Sequence, residues 1–112
     1  MSAARILVID GHPDPSPARF GHALAEAYAA SAKKAGHGVR VVRLHQMQCL
    51  PLESAADFAL RPTDGRVLDA RADLEWADHA AILFPLWLGG MPARLHAFFE
   101  HVARGGFVAQ LD

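Results

Sequence analysis

The sequence lacks the features that mark nucleic-acid-binding, disulfide-rich and membrane-spanning proteins. Its 11 basic and 12 acidic residues give a net charge of -1, so no excess of positive charge is available for nucleic acid. The single cysteine, Cys49, excludes an intrachain disulfide and favours a reducing compartment. The longest uncharged stretch, residues 80–93, is shorter than the roughly 20 apolar residues that a bilayer requires, and glycines and prolines interrupt it. The apolar run at residues 6–9 is too short for the core of a signal peptide. We therefore expect a cytoplasmic protein without a membrane span.

The composition that remains is that of one small folded domain. The chain has 112 residues, of which 52% are hydrophobic and 21% are charged. This length suffices for a single hydrophobic core, and the balance is typical of a globular domain rather than a disordered segment. We expect residues 1–112 to form one domain.

Strand and helix patterns alternate along the chain. Residues 6–9 form a continuous apolar run, which is typical of a strand buried on both faces of a parallel sheet. Residues 39–44 predict a second strand, whose two arginines place it near the sheet edge, and residues 80–84 predict a third. A helical pattern follows each strand. This order predicts an α/β fold in which right-handed crossovers connect parallel strands.

The helices are expected to pack through apolar faces. Ser16 suits the N-cap of the first helix, and Pro17 suits its first position. The predicted buried face of that helix consists of Phe20, Ala23, Leu24, Ala27, Tyr28 and Ser31. A weaker helix is expected over residues 66–77. The last helix begins at Pro92, and its predicted apolar face consists of Met91, Leu95, Phe98, Phe99 and Val102.

Two unusual loops follow the first and third strands. Because the carboxyl ends of parallel strands meet at one edge of a sheet, residues 11–17 and 85–91 are expected to face the same crevice. The first loop enters a helix N-terminus, which favours an anion, and Ser16 and Arg19 add a hydroxyl and a positive charge. The same spacing also fits a proline-stiffened turn that does no more than precede a capped helix.

The second loop contains a tryptophan beside a glycine pair. Gly89 and Gly90 allow a flat ligand to approach the backbone, and Trp87 and Leu88 offer apolar surface for it. An exposed tryptophan that packs on a neighbouring subunit is the alternative interpretation.

No motif identifies a metal site or a nucleophile. The three-glycine dinucleotide fingerprint and the Walker-type phosphate loop are both absent. His96 and His101 are five residues apart and share no helix face, so we expect no zinc site. The remaining histidines are interpreted as solvated or capping side chains, except that His12 ends the first strand inside the predicted crevice. Cys49 is expected to be a small buried residue, and the sequence assigns no catalytic residue.

Three segments together resemble the NAD(P)H:quinone oxidoreductase family. They read ILVIDGHPDPS from residue 6, FPLWLGGMPA from residue 84, and FFEHV from residue 98 with GGF from residue 105. The resemblance covers essentially the whole chain and implies a flavodoxin-like open parallel sheet with helices on both faces. Family members usually carry two more strands and helices, so the resemblance implies an N-terminal half with strand order 2-1-3.

The same resemblance implies a flavin-dependent oxidoreductase. Its chemistry is hydride transfer from NAD(P)H to FAD or FMN, followed by two-electron reduction of a quinone-like acceptor in a ping-pong order. The implied flavin-binding residues are His12, Ser16, Arg19 and Phe20 in the first loop and Pro85, Leu86, Trp87, Leu88 and Gly89 in the second. Most members have an aromatic residue where Leu88 stands.

The resemblance also implies a homodimer or a higher oligomer. We expect the edge strand at residues 80–84 and the helix after Pro92 to contribute to it, because both would lack cover in a half-length sheet. Two other functions stay open at this point. One is a flavin-binding ancillary or regulatory subunit, and the other is a non-catalytic shortened homologue.

Overall fold

A three-stranded parallel sheet forms the centre of the computed structural model, which describes residues 3–107. The strands are β1 (Arg5–Asp10), β2 (Gly38–Arg43) and β3 (His79–Leu83), in the spatial order β2-β1-β3. β1 is the middle strand and pairs in parallel with both neighbours, which explains why its continuous apolar run is buried. The predicted strand order 2-1-3 and the edge position of the second strand are confirmed.

The helices cover both faces of this sheet. In the described part of the chain they are α1 (Phe20–Lys34), α2 (Ala55–Ala59), α3 (Gly65–Trp76) and α4 (Ala93–Ala103), with 3-10 turns at Leu44–Gln46 and Arg104–Gly106. Ser54 and Asp64 cap α2 and α3 by accepting hydrogen bonds from backbone N–H groups of the first turn. Every helix within residues 3–107 is too short or too polar to cross a bilayer.

Two hydrophobic clusters hold these layers together. Side chains of β1 alternate between the faces, so Ile6 and Val8 pack against α1 while Leu7 and Ile9 pack on the opposite side. The opposite cluster is the larger one, and it includes Val67 of α3, Leu95, Phe98 and Val102 of α4, and Phe107. The first loop and the second loop therefore start at the ends of strands in a sheet that is covered on both faces.

The predicted start and buried face of α1 are wrong. The helix begins at Phe20 and has no side-chain cap, because Ser16 and the preceding loop form turns through their own hydrogen bonds instead. Alanines at positions 25, 29 and 32 face the sheet, whereas Phe20 is 77% exposed and Leu24 and Tyr28 are also exposed. Methyl-sized side chains let the helix approach the sheet closely. The large side chains consequently form an uncovered face on the outside of α1.

The expectation that the helix after Pro92 lacks cover is also wrong. Phe98 is 0% exposed, and Leu95 and Val102 are buried, because α4 packs on the sheet and on α3 within the same chain. The exposed edge at β3 is confirmed for the described residues, since Ile82 and Phe84 remain accessible there.

Candidate functional site

The first loop begins with a close contact between β1 and β3. The Gly11 N–H donates to the Leu83 carbonyl at 2.7 Å. A Cβ atom built on Gly11 would lie 3.0 Å from that carbonyl oxygen and 2.8 Å from the Leu95 side chain. Glycine is therefore required where the loop leaves the sheet.

Two carboxylates then shape the loop. Asp10 Oδ1 accepts a hydrogen bond from the His12 N–H at 3.2 Å, and Asp14 Oδ1 accepts one from the Ser16 N–H at 2.9 Å. Aspartate side chains commonly stabilise turns in this way. The loop is thus held by its own side chains before it reaches α1.

The second loop is a tight turn with a left-handed backbone. Trp87 and Gly90 exchange both backbone hydrogen bonds, at 2.9 and 3.0 Å. Leu88 and Gly89 between them have φ values of 50° and 77°, a region that glycine adopts easily and leucine rarely. Leu88 consequently projects fully into solvent, and the Trp87 side chain is left 49% exposed.

The two loops lie side by side, as predicted. The ring of His12 meets the ring of Trp87 edge-on, with centroids 5.7 Å apart. A hollow of about 310 Å³ lies next to His12, and a larger one of about 600 Å³ lies next to Trp87. The smaller hollow is lined by His12, Phe20, Gly21, Leu24, Leu83, Phe84 and Pro85. The larger is lined by Pro51, Trp87, Leu88, Gly90, Met91, Pro92, Ala93, His96, Ala97 and Glu100. Both hollows are largely apolar and flank the contact between His12 and Trp87, and we call the pair the loop crevice.

The structure divides the nine residues singled out from the sequence. His12, Phe20 and Pro85 line the smaller hollow, and Trp87 and Leu88 line the larger one. Leu86 and Gly89 lie on exposed backbone of the second loop. Ser16 and Arg19 belong to the first loop but line neither hollow.

Arg19 is already paired with a carboxylate. Its Nε atom lies 3.0 Å from Asp14 Oδ2, and both side chains are partly exposed. The Ser16 backbone N–H, together with the Arg19 charge, lowers the pKa of Asp14 below its ordinary value. An anion at this loop therefore has to compete with Asp14 for the guanidinium.

His12 is a buried, neutral hydrogen-bonding group. Burial, together with the neighbouring His22, lowers the pKa of His12 below its ordinary value. Its Nδ1 atom accepts a hydrogen bond from the Asp14 N–H at 3.2 Å. The neutral ring consequently carries its proton on Nε2, where it is able to donate.

A cluster around His22 has no counterpart among the residues predicted from the sequence. The sequence predicts a solvated or capping role for His22, but its Nδ1 lies 2.6 Å from Asp10 Oδ2 and its Nε2 lies 2.6 Å from the Asp14 carbonyl oxygen. Burial alone would lower the pKa of His22, but these hydrogen bonds outweigh it and raise that pKa. The ring of His45 packs against the ring of His22, with centroids 4.8 Å apart. The one signal for this cluster in the sequence was that Asp10 and His45 follow or end strands predicted to be neighbours in the sheet.

Arg94 of α4 connects the first loop to the segment after β2. Its guanidinium donates to the carbonyl oxygens of Pro13 and Met47. Cys49, two residues further on, is buried as predicted, and that burial raises the pKa of its thiol. Sequence patterns gave no indication of the Arg94 contact.

Comparison with known proteins identifies similar chains. A protein-family model described as "flavodoxin-like fold" matches residues 4–112. A ribosyldihydronicotinamide dehydrogenase-like protein from Penicillium crustosum is 30% identical over 92% of this chain and 45% of its own length. NAD(P)H dehydrogenase [quinone] 1 from Rattus norvegicus is 30% identical over 96% of this chain and 46% of its own length. The chain thus spans about half the length of these curated relatives.

Similarity to solved structures extends the comparison to the fold. The NAD(P)H:quinone oxidoreductase from Methanothermobacter marburgensis superimposes with a TM-score of 0.73 at 24% identity. The match covers 94% of this chain and 56% of that protein. At this level of identity the likeness concerns the arrangement of strands and helices.

Proposed function

Because this chain belongs to the flavodoxin-like fold family, we propose that it supplies the flavin-binding part of an NAD(P)H-dependent quinone reductase. The observation that carries the proposal is the meeting of the two loops, with His12 against Trp87, at the carboxyl edge of the sheet. Ligands in open α/β sheets bind at this edge, close to where the strand order reverses. The names of the two curated relatives support a nicotinamide-dependent reaction.

The residues of the loop crevice suit a flavin. Gly90 lines the larger hollow, and a Cβ atom there would meet no atom within 4 Å, so a flat ring has room to approach the backbone. Trp87 and Leu88 offer apolar surface beside it. The first turn of α1 favours a phosphate, and Ser16 and Arg19 supply a hydroxyl and a positive charge between β1 and that turn.

When bound, FMN or FAD supplies the redox chemistry, namely hydride uptake from NAD(P)H and two-electron transfer to a quinone-like acceptor. The residues of this chain bind and orient. Pro85 and Trp87 offer apolar contacts, and neutral His12 holds a proton on Nε2 beside them. Ser16 and Arg19 hold the phosphate end once Arg19 exchanges Asp14 for the ligand.

The activity is tested with the full chain loaded with FMN or FAD. We expect NADH or NADPH to reduce a soluble benzoquinone faster in the presence of the loaded chain than with the same concentration of free flavin. A rate equal to that of free flavin, from a chain that nevertheless retains flavin, contradicts the reductase and supports the ancillary flavin-binding subunit instead.

Trp87→Ala is expected to change the fluorescence of bound flavin without changing the stability of the fold. Because the side chain is half exposed, its truncation should leave the melting temperature nearly unchanged, while a buried tryptophan costs about 3–5 kcal/mol. An adjacent indole quenches flavin fluorescence. Flavin bound to the variant should therefore fluoresce more strongly than flavin bound to the unmodified chain.

Trp76→Ala provides the matched control. Trp76 lies on α3, away from the loop crevice, with the Arg40 guanidinium 4.2 Å from its ring centre. It should lower the melting temperature without changing flavin fluorescence. The opposite pattern, in which Trp87→Ala destabilises the protein and leaves bound-flavin fluorescence unchanged, would assign Trp87 to the core.

We also propose that the chain self-associates through the outer face of α1 and the edge of β3. Phe20, Leu24 and Tyr28 are exposed on the helix, and Ile82 and Phe84 are exposed at the edge strand. Exposed strand edges and contiguous apolar patches favour association, and each large side chain contributes about 1.5–3 kcal/mol when fully buried.

Light scattering of the dilute chain should therefore report a dimer or a larger assembly. Leu24→Lys is expected to shift the equilibrium from the assembly towards the monomer. Ala30→Lys, at another exposed position on α1, is the control and should leave the equilibrium unchanged. A well-folded monomer for the unmodified chain would refute the assembly.

A further inference from the structure

Three side chains beside the first loop form a group that the flavin proposal does not use. Asp10 comes from the end of β1, His22 from the first turn of α1, and His45 from the 3-10 turn after β2. One oxygen or nitrogen atom from each lies within 4.8 Å of the others. We propose that Asp10, His22 and His45 bind a divalent transition-metal cation such as Zn²⁺.

The ligand chemistry selects the class of cation. Two imidazoles and one carboxylate are a typical donor set for zinc, cobalt and nickel, whereas magnesium and calcium prefer oxygen ligands alone. Three protein ligands leave at least one coordination position for water or another small ligand.

The hydrogen bonds of His22 carry the first argument. Both of its ring nitrogens face acceptors at 2.6 Å, Asp10 Oδ2 on one side and the Asp14 carbonyl on the other. A neutral imidazole has one N–H, so the second nitrogen needs either a further proton or a cation next to it. With Nε2–H donated to the Asp14 carbonyl, a cation bound by Nδ1 and Asp10 replaces the proton that these two atoms otherwise share, and the pair opens from 2.6 Å to admit it. A metal-binding histidine commonly donates its other ring nitrogen to a backbone carbonyl in this way.

His45 supplies an independent observation. Its Nδ1 atom is enclosed and has no hydrogen-bond partner, and it is the single buried side-chain nitrogen or oxygen in this condition within residues 3–107. Buried polar atoms are nearly always satisfied, and an exception calls for a proton, a water molecule or an ion. A cation bound by this cluster gives the imidazole of His45 a partner.

The position of the cluster gives a cation access without involving the loop crevice. A hollow of about 210 Å³ adjoins Asp10, His22 and His45, and it shares no lining residue with either hollow of the crevice. Arg43 also lines this hollow, and its guanidinium is paired with Glu26 at 2.8 Å. His12 lies nearby, but its Nδ1 is already bonded to the Asp14 N–H.

The test is metal binding by the untagged, flavin-free full chain after removal of metals with EDTA. Co²⁺ serves as a spectroscopic probe and Zn²⁺ as the calorimetric titrant. We expect one equivalent to bind, with visible absorption of the cobalt form, and excess Mg²⁺ should not displace it. Zn²⁺ should also raise the melting temperature, because a ligand that binds the folded state stabilises it.

Variants separate this cluster from the other histidines. His45→Ala should weaken Zn²⁺ binding by at least about 100-fold, since even residues that support a metal ligand contribute 10–100-fold. His96→Ala, an exposed position on α4, should leave it unchanged. Asp10→Asn keeps the side-chain shape and should also weaken binding, which provides a second test if His45→Ala fails to fold.

Two results would overturn the proposal. The first is Zn²⁺ affinity that is equal in the unmodified chain and in His45→Ala or Asp10→Asn. The second is the absence of saturable Zn²⁺ binding by the folded chain. Neither result depends on flavin, so the metal site and the proposed function are tested separately.

Discussion

Replacement of both Ser16 and Arg19 by alanine is expected to weaken flavin binding by about 30- to 1,000-fold. The two changes remove one neutral and one charge-assisted hydrogen bond to the phosphate, which together contribute on the order of 2–4 kcal/mol. A fluorescence titration of the purified variant with FMN or FAD measures the loss directly. Flavin affinity unchanged from that of the unmodified chain would remove the first loop from the site.

Asp14→Asn is the sharpest companion to this double variant. In the structure Asp14 Oδ2 pairs with Arg19 Nε at 3.0 Å, and Asp14 Oδ1 accepts a hydrogen bond from the Ser16 N–H. Asparagine keeps that second interaction and removes the negative charge, so flavin should bind more tightly. Asp69→Asn, an exposed aspartate on α3, changes the net charge by the same amount as Asp14→Asn and should have little effect on flavin binding. Weaker binding by Asp14→Asn would show that Arg19 does not receive the phosphate.

Phe98→Ala is expected to lower the free energy of unfolding by about 3–5 kcal/mol, the usual loss for a fully buried phenylalanine. Phe98 is a fully buried member of the larger hydrophobic cluster, and its ring meets Phe99 edge-on with centroids 5.3 Å apart. Chemical denaturation of the dilute, flavin-free variant measures the change. A loss of this size is a large fraction of the stability of a small domain.

Phe20→Ala is the matched control, because the same side chain lies 77% exposed on α1. In the Leu24→Lys background, which we expect to be monomeric, its truncation should change the free energy of unfolding by no more than about 0.5 kcal/mol, as is usual for surface positions. Equal destabilisation by the two variants would mean that α1 packs through its large side chains, as the sequence pattern suggested, and would contradict the observed orientation of the helix.

The sheet was predictable because its signal is local. The uninterrupted run in β1 requires cover on both faces, and the two arginines of β2 favour an edge position. Strands separated by helical patterns then leave few arrangements that obey the right-handed crossover rule. The meeting of the two loops follows from this topology, and the contact between His12 and Trp87 is consistent with it.

The orientation of α1 was not predictable from periodicity. Its alanines at positions 25, 29 and 32 and its large residues Phe20, Leu24 and Tyr28 both recur at helical spacing. A ranking by hydrophobicity selects the large residues, whereas close packing against the sheet selects the alanines. What decides is the distance between helix and sheet, which no local pattern contains.

The cluster of Asp10, His22 and His45 was not predictable from the sequence for a related reason. The partners of His22 are Asp10 and the Asp14 backbone, and its neighbour His45 comes from beyond β2. Their convergence depends on the turns that carboxylates impose on the first loop. Hydrogen bonds of this kind also delay the start of α1 beyond Ser16, the position that a capping preference alone selects.

Equilibrium titration of the untagged full chain with FMN and with FAD tests the central claim most directly. We expect saturable binding of at least one of them, at one flavin per chain, with quenching of flavin fluorescence that Trp87→Ala diminishes. A folded chain that leaves the fluorescence of both flavins unchanged would contradict the assignment of the loop crevice.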